Sequence, residues 1–526
     1  MNRKELKTAA KQTLKTHYMS LMMIDFIVAL LGVTITASGV YVSGKTITTM
    51  VNGGVSVGWM LLAFAMIALL ICVVIGVTEV VSARMFLESK EYEKVPLSHA
   101  LRPLASGKWG HIALAMGRTY LFLFLWALTI VGGFIMAYAY AMVPYLLAEN
   151  PDLTGKEAIQ LSKEMMIDHK WELFVVDLSM IGWALLGVIT CGFGLVFYVK
   201  PYYSAIRMHY FTNLRGAVKE AEPEKYAVCN DTYLYEHATE EELSHAYKDI
   251  KMDELYLKDN PSEYTGAKKF FADTLALSIG SEKSCQTHQA LESIRKQSEE
   301  DHAILDGKIY PERLSPQFVR KNKHMSGQLD ADRSYSLGSL IVIFVLCAVL
   351  SFIVYSINTI FYDEVVLDLG FMKGPWFPMV GSIVILSIVL LKKLRHNPFA
   401  TYIGCFVLTG LVMFGTHYIF DAVYGIRLWE CVNEVFVLGG RVGVLAMLCI
   451  AGFSTLAIYV IGPLVDNALN KVAPNVVTIV AAVLVVLLAV DSMITLSHPD
   501  MERAQKVENY YSELQEKLES EKAIPF

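Results

Sequence analysis

Ionisable side chains lie inside several long apolar stretches of the sequence, and they are the first candidates for chemistry. Asp177 lies within Val175–Ser179, Asp491 within the last apolar run, and His417 near the end of another. A charged group is costly in hydrocarbon, so such residues usually face a partner or a water-filled cavity. Arg118 could pair with Asp177 inside a helix bundle. The alternatives are snorkelling to the interface, a helix-end position or a purely structural ion pair.

A Gly-Pro segment at the start of a C-terminal apolar run is the second candidate. Gly374, Pro375, Pro378 and Gly381 are poor residues for a helix interior. They would leave backbone groups free to face a cavity, as the broken helices of transporters do. The other interpretation is a tight helix entrance with proline in its first turn.

Motifs of soluble catalysis do not occur in the sequence. It contains no Gly-rich phosphate loop, zinc-protease helix, nucleophile elbow or paired-carboxylate site at an interpretable spacing. The eight cysteines form no Cys-x-x-Cys pair, so we expect buried thiols, no metal, no cofactor and no disulfide framework. The net charge of −6 argues against nucleic-acid binding. We expect no enzyme, and any ATP hydrolysis must come from a separate ATPase subunit.

Composition places these residues in a membrane protein. Hydrophobic residues make up 54% of the chain and charged residues only 18%, which disfavours a soluble enzyme. A helix needs about 20 apolar residues to cross the hydrocarbon layer. Four runs meet that length: Ile27–Val40 with its flanks, Trp59–Val81, Ser339–Thr359 and Val476–Ile494. We expect an all-α, polytopic transmembrane protein with about eleven membrane segments in two bundles.

Lysine and arginine indicate the orientation, because short cytoplasmic loops are enriched in them. The N-terminus is basic and so is the interval after the second span, so the N-terminus is expected in the cytoplasm. His111–Ala148 and Trp171–Leu214 are each too long for one untilted span. Gly132-Gly133 and Gly192-Phe193-Gly194 predict that each stretch reverses as a hairpin.

Two helix starts are marked by local capping patterns. Thr154 with Glu157 begins a helix whose Ile159, Met165 and Met166 suggest an amphipathic segment at the membrane interface. Thr239-Glu-Glu-Glu242 begins a helical run in residues 216–334, which we expect to form a partly mobile cytoplasmic linker with little core.

The linker ends in a basic stretch, and five apolar runs follow it. Two interpretations of this stretch are open: it binds anionic lipid of the inner leaflet, or it is solvated and only prevents translocation across the membrane. Its basic residues are Arg313, Arg320, Lys321, Lys323 and Arg333. The runs lie near 336–360, 375–391, 399–420, 442–464 and 474–496. The predicted domains are therefore an N-terminal membrane domain at 1–215, the linker at 216–334, a C-terminal membrane domain at 335–497 and a polar helical tail at 498–526. The sequence does not decide on which side of the membrane the tail lies.

The N-terminal half resembles a bacterial membrane family known as domain of unknown function 975. The resemblance is carried, in order, by Asn150-Pro-Asp-Leu-Thr-Gly-Lys-Glu, Ser162-Lys-Glu-Met-Met, Leu178-Ser-Met-Ile-Gly-Trp183 and Pro201-Tyr-Tyr with His209-Tyr-Phe. It covers residues 1–215. It implies a multi-helix membrane module, common in Gram-positive bacteria, with no assigned activity.

The C-terminal half is similar to a second family, the ABC-transporter type IV permease-like proteins. The similarity rests on Gly370-Phe-Met-Lys-Gly374-Pro375-Trp-Phe-Pro378, His417-Tyr418, Trp429-Glu430, Gly440-Arg441 and Asp491. This similarity adds Trp429 and Arg441 to the residues that could line a cavity or take part in transport. Where the family usually has Glu-Tyr, this chain has His417-Tyr418.

Three functional hypotheses follow. The first is a permease-like or transport-associated component of the bacterial plasma membrane, with an unidentified substrate. The second is a membrane scaffold that recruits partners through its linker. The third is an intramembrane enzyme using Asp177, His417 or Asp491. The expected partners are the lipid bilayer and a separate ATPase subunit, and homo-oligomerisation stays open.

Overall fold

The described residues are mostly helical and form only four two-residue strands, which confirms the all-α class. The computed structural model describes residues 3–51, 74–97, 99, 106–190, 194–260, 264–316, 330–363, 372–424, 437–438 and 442–497. The chain divides into two compact units, and each is built from two segments of sequence. The first contains Met1–Lys258 and Arg295–Gly327, and the second contains Asp259–Ile294 and Gln328–Phe526.

The first unit begins with one long helix, α1 (Arg3–Val51), which bends at His17, where φ is −113° and ψ is 20°. In chain order it is followed by α2 (74–88), α3 (Trp109–Ala127), α4 (Val131–Ala139), α5 (Val143–Glu149), α6 (Gly155–Met165), α7 (Lys170–Leu178), α8 (Ile181–Ile189) and α9 (Lys200–Ala221). α1 packs along α9. Thr13 Oγ1 lies 2.9 Å from His209 Nε2 in this contact.

The first of the two long apolar stretches is broken between α3 and α4. Ile130 has a φ of 47°, a left-handed conformation that ends the helical path. Gly132 and Gly133 follow immediately, and a Cβ on Gly133 would lie only 2.6 Å from Ala127 Cα. The two glycines therefore allow the backbone at the start of α4 to lie close to the backbone at the end of α3. The turn itself is made one residue before α4 begins, at Ile130. Val131–Glu149 is long and apolar enough to cross a membrane.

The second long stretch is divided among several helices. Ser179 and Met180 form a turn between α7 and α8, in which the Met180 N–H donates to the Asp177 carbonyl. α8 ends at Ile189, and the next described element is the π-helical turn Leu195–Val199, which leads into α9. Gly194 directly precedes this turn, whereas Gly192 and Phe193 lie outside the described residues.

The helix α6 begins as predicted but is buried differently. Thr154 Oγ1 accepts from the Glu157 N–H, and the Glu157 carboxylate accepts from the Thr154 N–H. These hydrogen bonds lower the pKa of Glu157. The expectation of an interfacial helix was wrong for its apolar face, because Ile159, Met165 and Met166 are buried in the hydrophobic core of the first unit.

The N-terminal part of the predicted linker is helical and belongs to the first unit. Its helices are α10 (Glu240–Ala246) and α11 (Ile250–Asp259). Thr239 and Glu242 form the predicted capping box, but the helical run is interrupted at 247–249. Tyr226 and Leu234 are buried in the core of this unit, together with Tyr310 from the later linker segment Arg295–Gly327. The stretch therefore buries more apolar surface than its composition suggested.

The second unit contains a short helical entry and the C-terminal apolar helices. Its entry consists of α12 (Gly266–Leu275), β1 (Leu277–Ser278) and the first part of α13 (Glu282–Leu305). β1 pairs in parallel with β2 (Tyr335–Ser336), with Leu277 opposite Tyr335. The apolar helices are α14 (Leu337–Asp363), α15 (Pro378–Leu390), α16 (Pro398–Tyr424), α17 (Val444–Leu456), α18 (Gly462–Leu469) and α19 (Pro474–Ser497). A second pair of strands, β3 (Val437–Leu438) and β4 (Val442–Gly443), is antiparallel.

Five helical segments among the described residues are long and apolar enough to cross a membrane. One is Val131–Glu149 in the first unit, and four are in the second: Leu337–Val354, Pro398–Val423, Ala446–Leu469 and Pro474–Thr495. α17, the π-helical turn Ala457–Ile461 and α18 together make one of these. α15 is apolar but only 13 residues long. The five apolar runs expected in the C-terminal half therefore all form helices.

Candidate functional site

The clearest convergence of predicted site residues lies in the second unit, around Asp491 of α19. Its Oδ2 accepts a hydrogen bond from the Trp376 indole Nε1 at 2.8 Å and one from the Gly374 backbone N–H at 3.2 Å. Both donors belong to residues 372–377, the segment before α15, which we call the entry loop. One carboxylate near the end of an apolar helix thus holds the entry loop of another helix.

Local sequence explains why the entry loop can reach Asp491. A Cβ at Gly374 would lie 2.5 Å from the Trp376 ring, so only glycine fits beneath the indole. The Trp376 N–H donates to the Gly374 carbonyl at 2.9 Å, which closes a tight turn. Pro375, between them, is exposed. The turn therefore presents a backbone N–H and an indole N–H to one acceptor.

The entry loop is also tied to α14. The Phe377 N–H donates to the Ala348 carbonyl at 3.0 Å, and the rings of Phe377 and Phe352 lie 5.5 Å apart. A Cβ at Gly381 would lie 2.9 Å from the Phe344 carbonyl oxygen, so α15 packs closely on α14 at this point. The loop consequently connects α14, α15 and α19.

Pro378 is the first residue of α15, so the structure has the helix-entrance geometry. The Gly374 N–H is not free to face a cavity, because Asp491 accepts its hydrogen bond. His417 is buried in α16. Trp429 and Arg441 lie outside the described residues.

Asp177 and Arg118, in the first unit, are not paired with each other. Asp177 accepts from Arg207 Nη2 at 3.2 Å and from the Tyr203 hydroxyl at 3.1 Å. The Arg118 guanidinium instead lies over the Phe122 ring, 5.6 Å from its centroid. Asp177 and Arg207 are 21% and 22% exposed, so the pair is only partly shielded from its surroundings.

A further buried carboxylate, Asp25 of α1, was missed by the sequence analysis. It accepts from the Ser82 hydroxyl at 2.8 Å and from the Ser204 hydroxyl at 2.9 Å, and its side chain is fully buried. The position of Asp25 among apolar residues could have marked it as a candidate from the sequence. Its partners could not have been identified in this way, because they lie 57 and 179 residues away in sequence.

Two buried arginines of the first unit, Arg84 and Arg215, form ion pairs that were also missed, and together we call these pairs the ionic clamp. In the first, Arg84 Nη1 donates to Asp231 at 2.8 Å and Arg84 Nε donates to Glu88 at 2.9 Å. The Tyr310 hydroxyl donates to the same Asp231. His99 has ring nitrogens 2.7 Å from Glu88 and 3.3 Å from a Glu312 oxygen.

The second pair of the ionic clamp joins Arg215 to Glu149. Arg215 Nη2 and Nε lie 2.5 and 2.7 Å from the two carboxylate oxygens, a bidentate arrangement. Arg215 also donates to the Cys229 carbonyl and lies over the Tyr235 ring, 3.8 Å from its centroid. Burial and the nearby Glu149 raise the pKa of the Cys229 thiol to about 12. The ionic clamp therefore attaches α9 and the segment that follows it to the ends of α2 and α5.

Both carboxylates join polar groups of different elements near the ends of apolar helices. The Asp491 carboxylate accepts from two neutral donors and fixes the entry loop. The Asp177 carboxylate has a cationic partner and a phenol, both on α9. Polar residues in apolar helices usually face such a partner, and in transporters they mark solute or ion pathways.

Comparison with known families agrees with the two resemblances. Residues 60–218 match the profile of the family described as Protein of unknown function (DUF975), and residues 342–496 match that of the family described as Putative ABC-transporter type IV. No curated protein and no solved structure matches the chain. Asp177 and Arg207 lie in the first matched region, and the entry loop and Asp491 lie in the second. The chain is a membrane protein whose C-terminal half is similar to a transporter family.

Proposed function

We propose that this chain is a permease-like component of a transport system in the bacterial plasma membrane. It is multi-pass, with its N-terminus in the cytoplasm and about eleven membrane segments in two bundles, which the helical cytoplasmic linker at 216–334 joins. It contains no ATP-hydrolysing motif, so a separate ATPase subunit powers any ATP-driven step. The similarity of residues 342–496 to a transporter family supports this assignment.

The hydrogen bonds between Asp491 and the entry loop are the observation that carries the proposal. The loop is connected to α14, α15 and α19 at once, so a change in the partner of one carboxylate alters the contact of three apolar helices. Transport requires such a rearrangement, because opposite sides of a permease must open in turn.

A complementation experiment in cells of the source organism tests the proposal. Cells without the gene are compared with cells expressing the wild type, Asp491→Ala or the control Asp273→Ala, and uptake and release of solutes are profiled by mass spectrometry. Asp273 is an exposed carboxylate of the same unit. The wild type and the control are expected to restore at least one solute flux, and Asp491→Ala is expected to fail at equal membrane abundance, because it removes the acceptor of both hydrogen bonds. Full restoration by Asp491→Ala would refute the proposal.

The scaffold hypothesis has one observation in its favour. α11 has Met252, Leu255 and Tyr256 on one exposed face, outside the candidate spans. Deleting 222–330 would be a poor test, because it removes Tyr226 and Tyr310 from the core. The double variant Met252→Ser, Leu255→Ser changes only the exposed face. A scaffold predicts loss of the cellular phenotype in this variant and tolerance of Asp491→Ala, which is the reverse of the permease prediction.

A further inference from the structure

α12 is held at the ends of two apolar helices of the second unit. Lys392, two residues after the end of α15, donates from Nζ to the Ala272 carbonyl. β1, which follows α12, pairs with β2, which directly precedes α14. Both attachments are to residues at the boundaries of long apolar segments. If α14 and α15 lie in the bilayer, α12 lies at the level of its surface.

The faces of α12 differ in a way that suits this position. Ala272 is buried, and Phe271 and Leu275 are half-buried on the protein side. Phe270 is 58% exposed and directly follows the exposed Lys268 and Lys269. An aromatic ring beside lysines is typical of a helix that lies in the headgroup region, with its apolar group directed to the acyl chains.

The residues around the attachment continue this pattern. Leu390 and Leu394, at the end of α15, are exposed, so apolar surface reaches the level at which α12 is attached. Lys392 and Lys393 lie between them and add two positive charges to those of α12. Asp273 is the acidic residue of α12. The local charge therefore favours an anionic surface.

The basic stretch at the end of the linker is a less suitable lipid-binding site than α12. Arg313 pairs with Asp249 and Asp301, and Arg333 pairs with Asp466. Arg320, Lys321 and Lys323 lie outside the described residues. The described arginines of that stretch are thus engaged by carboxylates of their own unit.

We propose that α12 is an interfacial anchor that binds the headgroups of anionic lipids. Lys268 and Lys269 contact lipid phosphates, and Phe270 inserts at the boundary of the acyl chains. The partner is the lipid surface of the leaflet that faces Lys392 and Lys393. This assignment does not depend on the transported substrate.

Hydrogen exchange of the full chain in nanodiscs tests the anchor. Nanodiscs of phosphatidylcholine alone are compared with nanodiscs in which about one third of the lipid is phosphatidylglycerol. Peptides covering 266–275 are expected to exchange about tenfold more slowly in the anionic nanodiscs. The double variant Lys268→Gln, Lys269→Gln is expected to abolish this difference. Phe270→Ser is expected to increase exchange in both lipids.

The double variant Lys251→Gln, Lys258→Gln on α11 is the matched control and should leave the difference unchanged. Equal melting temperatures show that each variant is folded. The proposal is overturned if exchange is the same in neutral and anionic nanodiscs, or if the Lys268 and Lys269 variant retains the difference. Equal protection by inorganic phosphate in detergent would also overturn it, because the ligand would then be a free anion.

Discussion

Removal of Arg215 should strongly destabilise the first unit. Glu149 is fully buried and Arg215 is 8% exposed, and the two are joined by two charge-assisted hydrogen bonds. Arg215→Met keeps the aliphatic bulk but leaves the Glu149 carboxylate buried without its cation. The loss of one partner of a buried pair costs about 3–5 kcal/mol. One kcal/mol corresponds to about 2–4 °C in a domain of this size, so the melting temperature should fall on the order of 10 °C.

The assay is thermal unfolding of the detergent-solubilised full chain, followed by size-exclusion chromatography with fluorescence detection. Lys225→Met is the matched control, because Lys225 makes ion pairs with Glu164 and Glu222 but is 40% exposed. An exposed pair contributes about 0–1 kcal/mol, so this variant should melt within about 2 °C of the wild type.

A double variant distinguishes the loss of the Arg215–Glu149 ion pair from a loss of packing at position 215. Glu149→Gln removes the buried charge and keeps an acceptor for the Tyr235 hydroxyl. Combined with Arg215→Met, it should recover more than half of the lost stability, because no uncompensated charge remains. An unchanged melting temperature in Arg215→Met, or additive losses in the double variant, would refute the assignment of a buried ionic clamp.

Two further predictions concern the entry loop and the ionic clamp. Gly374→Ala should lower stability by about 1–3 kcal/mol and shift tryptophan emission, because the added Cβ overlaps the Trp376 ring. Gly415→Ala, whose Cβ would have nothing within 4 Å, should be neutral or slightly stabilising, and equal melting of the two variants would contradict the packing described. Cys229 should resist maleimide in the native protein at pH 8, because a pKa of about 12 leaves only about one thiolate in ten thousand. Peptide mass spectrometry should show this block relieved at higher pH, and rapid native labelling at pH 8 would contradict it.

Local features of the structure were predictable from the sequence. The capping boxes at Thr154 and Thr239 involve residues only three positions apart, so the pattern specifies the contact. The five C-terminal apolar runs were also recognisable, because length and composition alone determine them. Glycine marked the break in His111–Ala148 but not its position, because Ile130 makes the turn with a left-handed φ.

The partners of the polar residues were not predictable from one sequence. Asp491 meets Gly374 and Trp376 across 117 and 115 positions, and Arg84 meets Asp231 across 147. Such pairings depend on how helices pack, which hydrophobic periodicity does not encode. For the same reason Asp177 was expected near Arg118, whereas α9 provides Arg207 as its partner.

Immersion of the apolar helices in lipid is the central claim, and extraction of membranes with alkaline carbonate tests it most directly. In α19, Val483, Val486 and Val490 are exposed, a surface that lipid covers and water does not. The chain should remain in the membrane pellet after the wash and should enter solution only with detergent. Recovery in the carbonate supernatant, as a monodisperse protein free of detergent, would contradict the account.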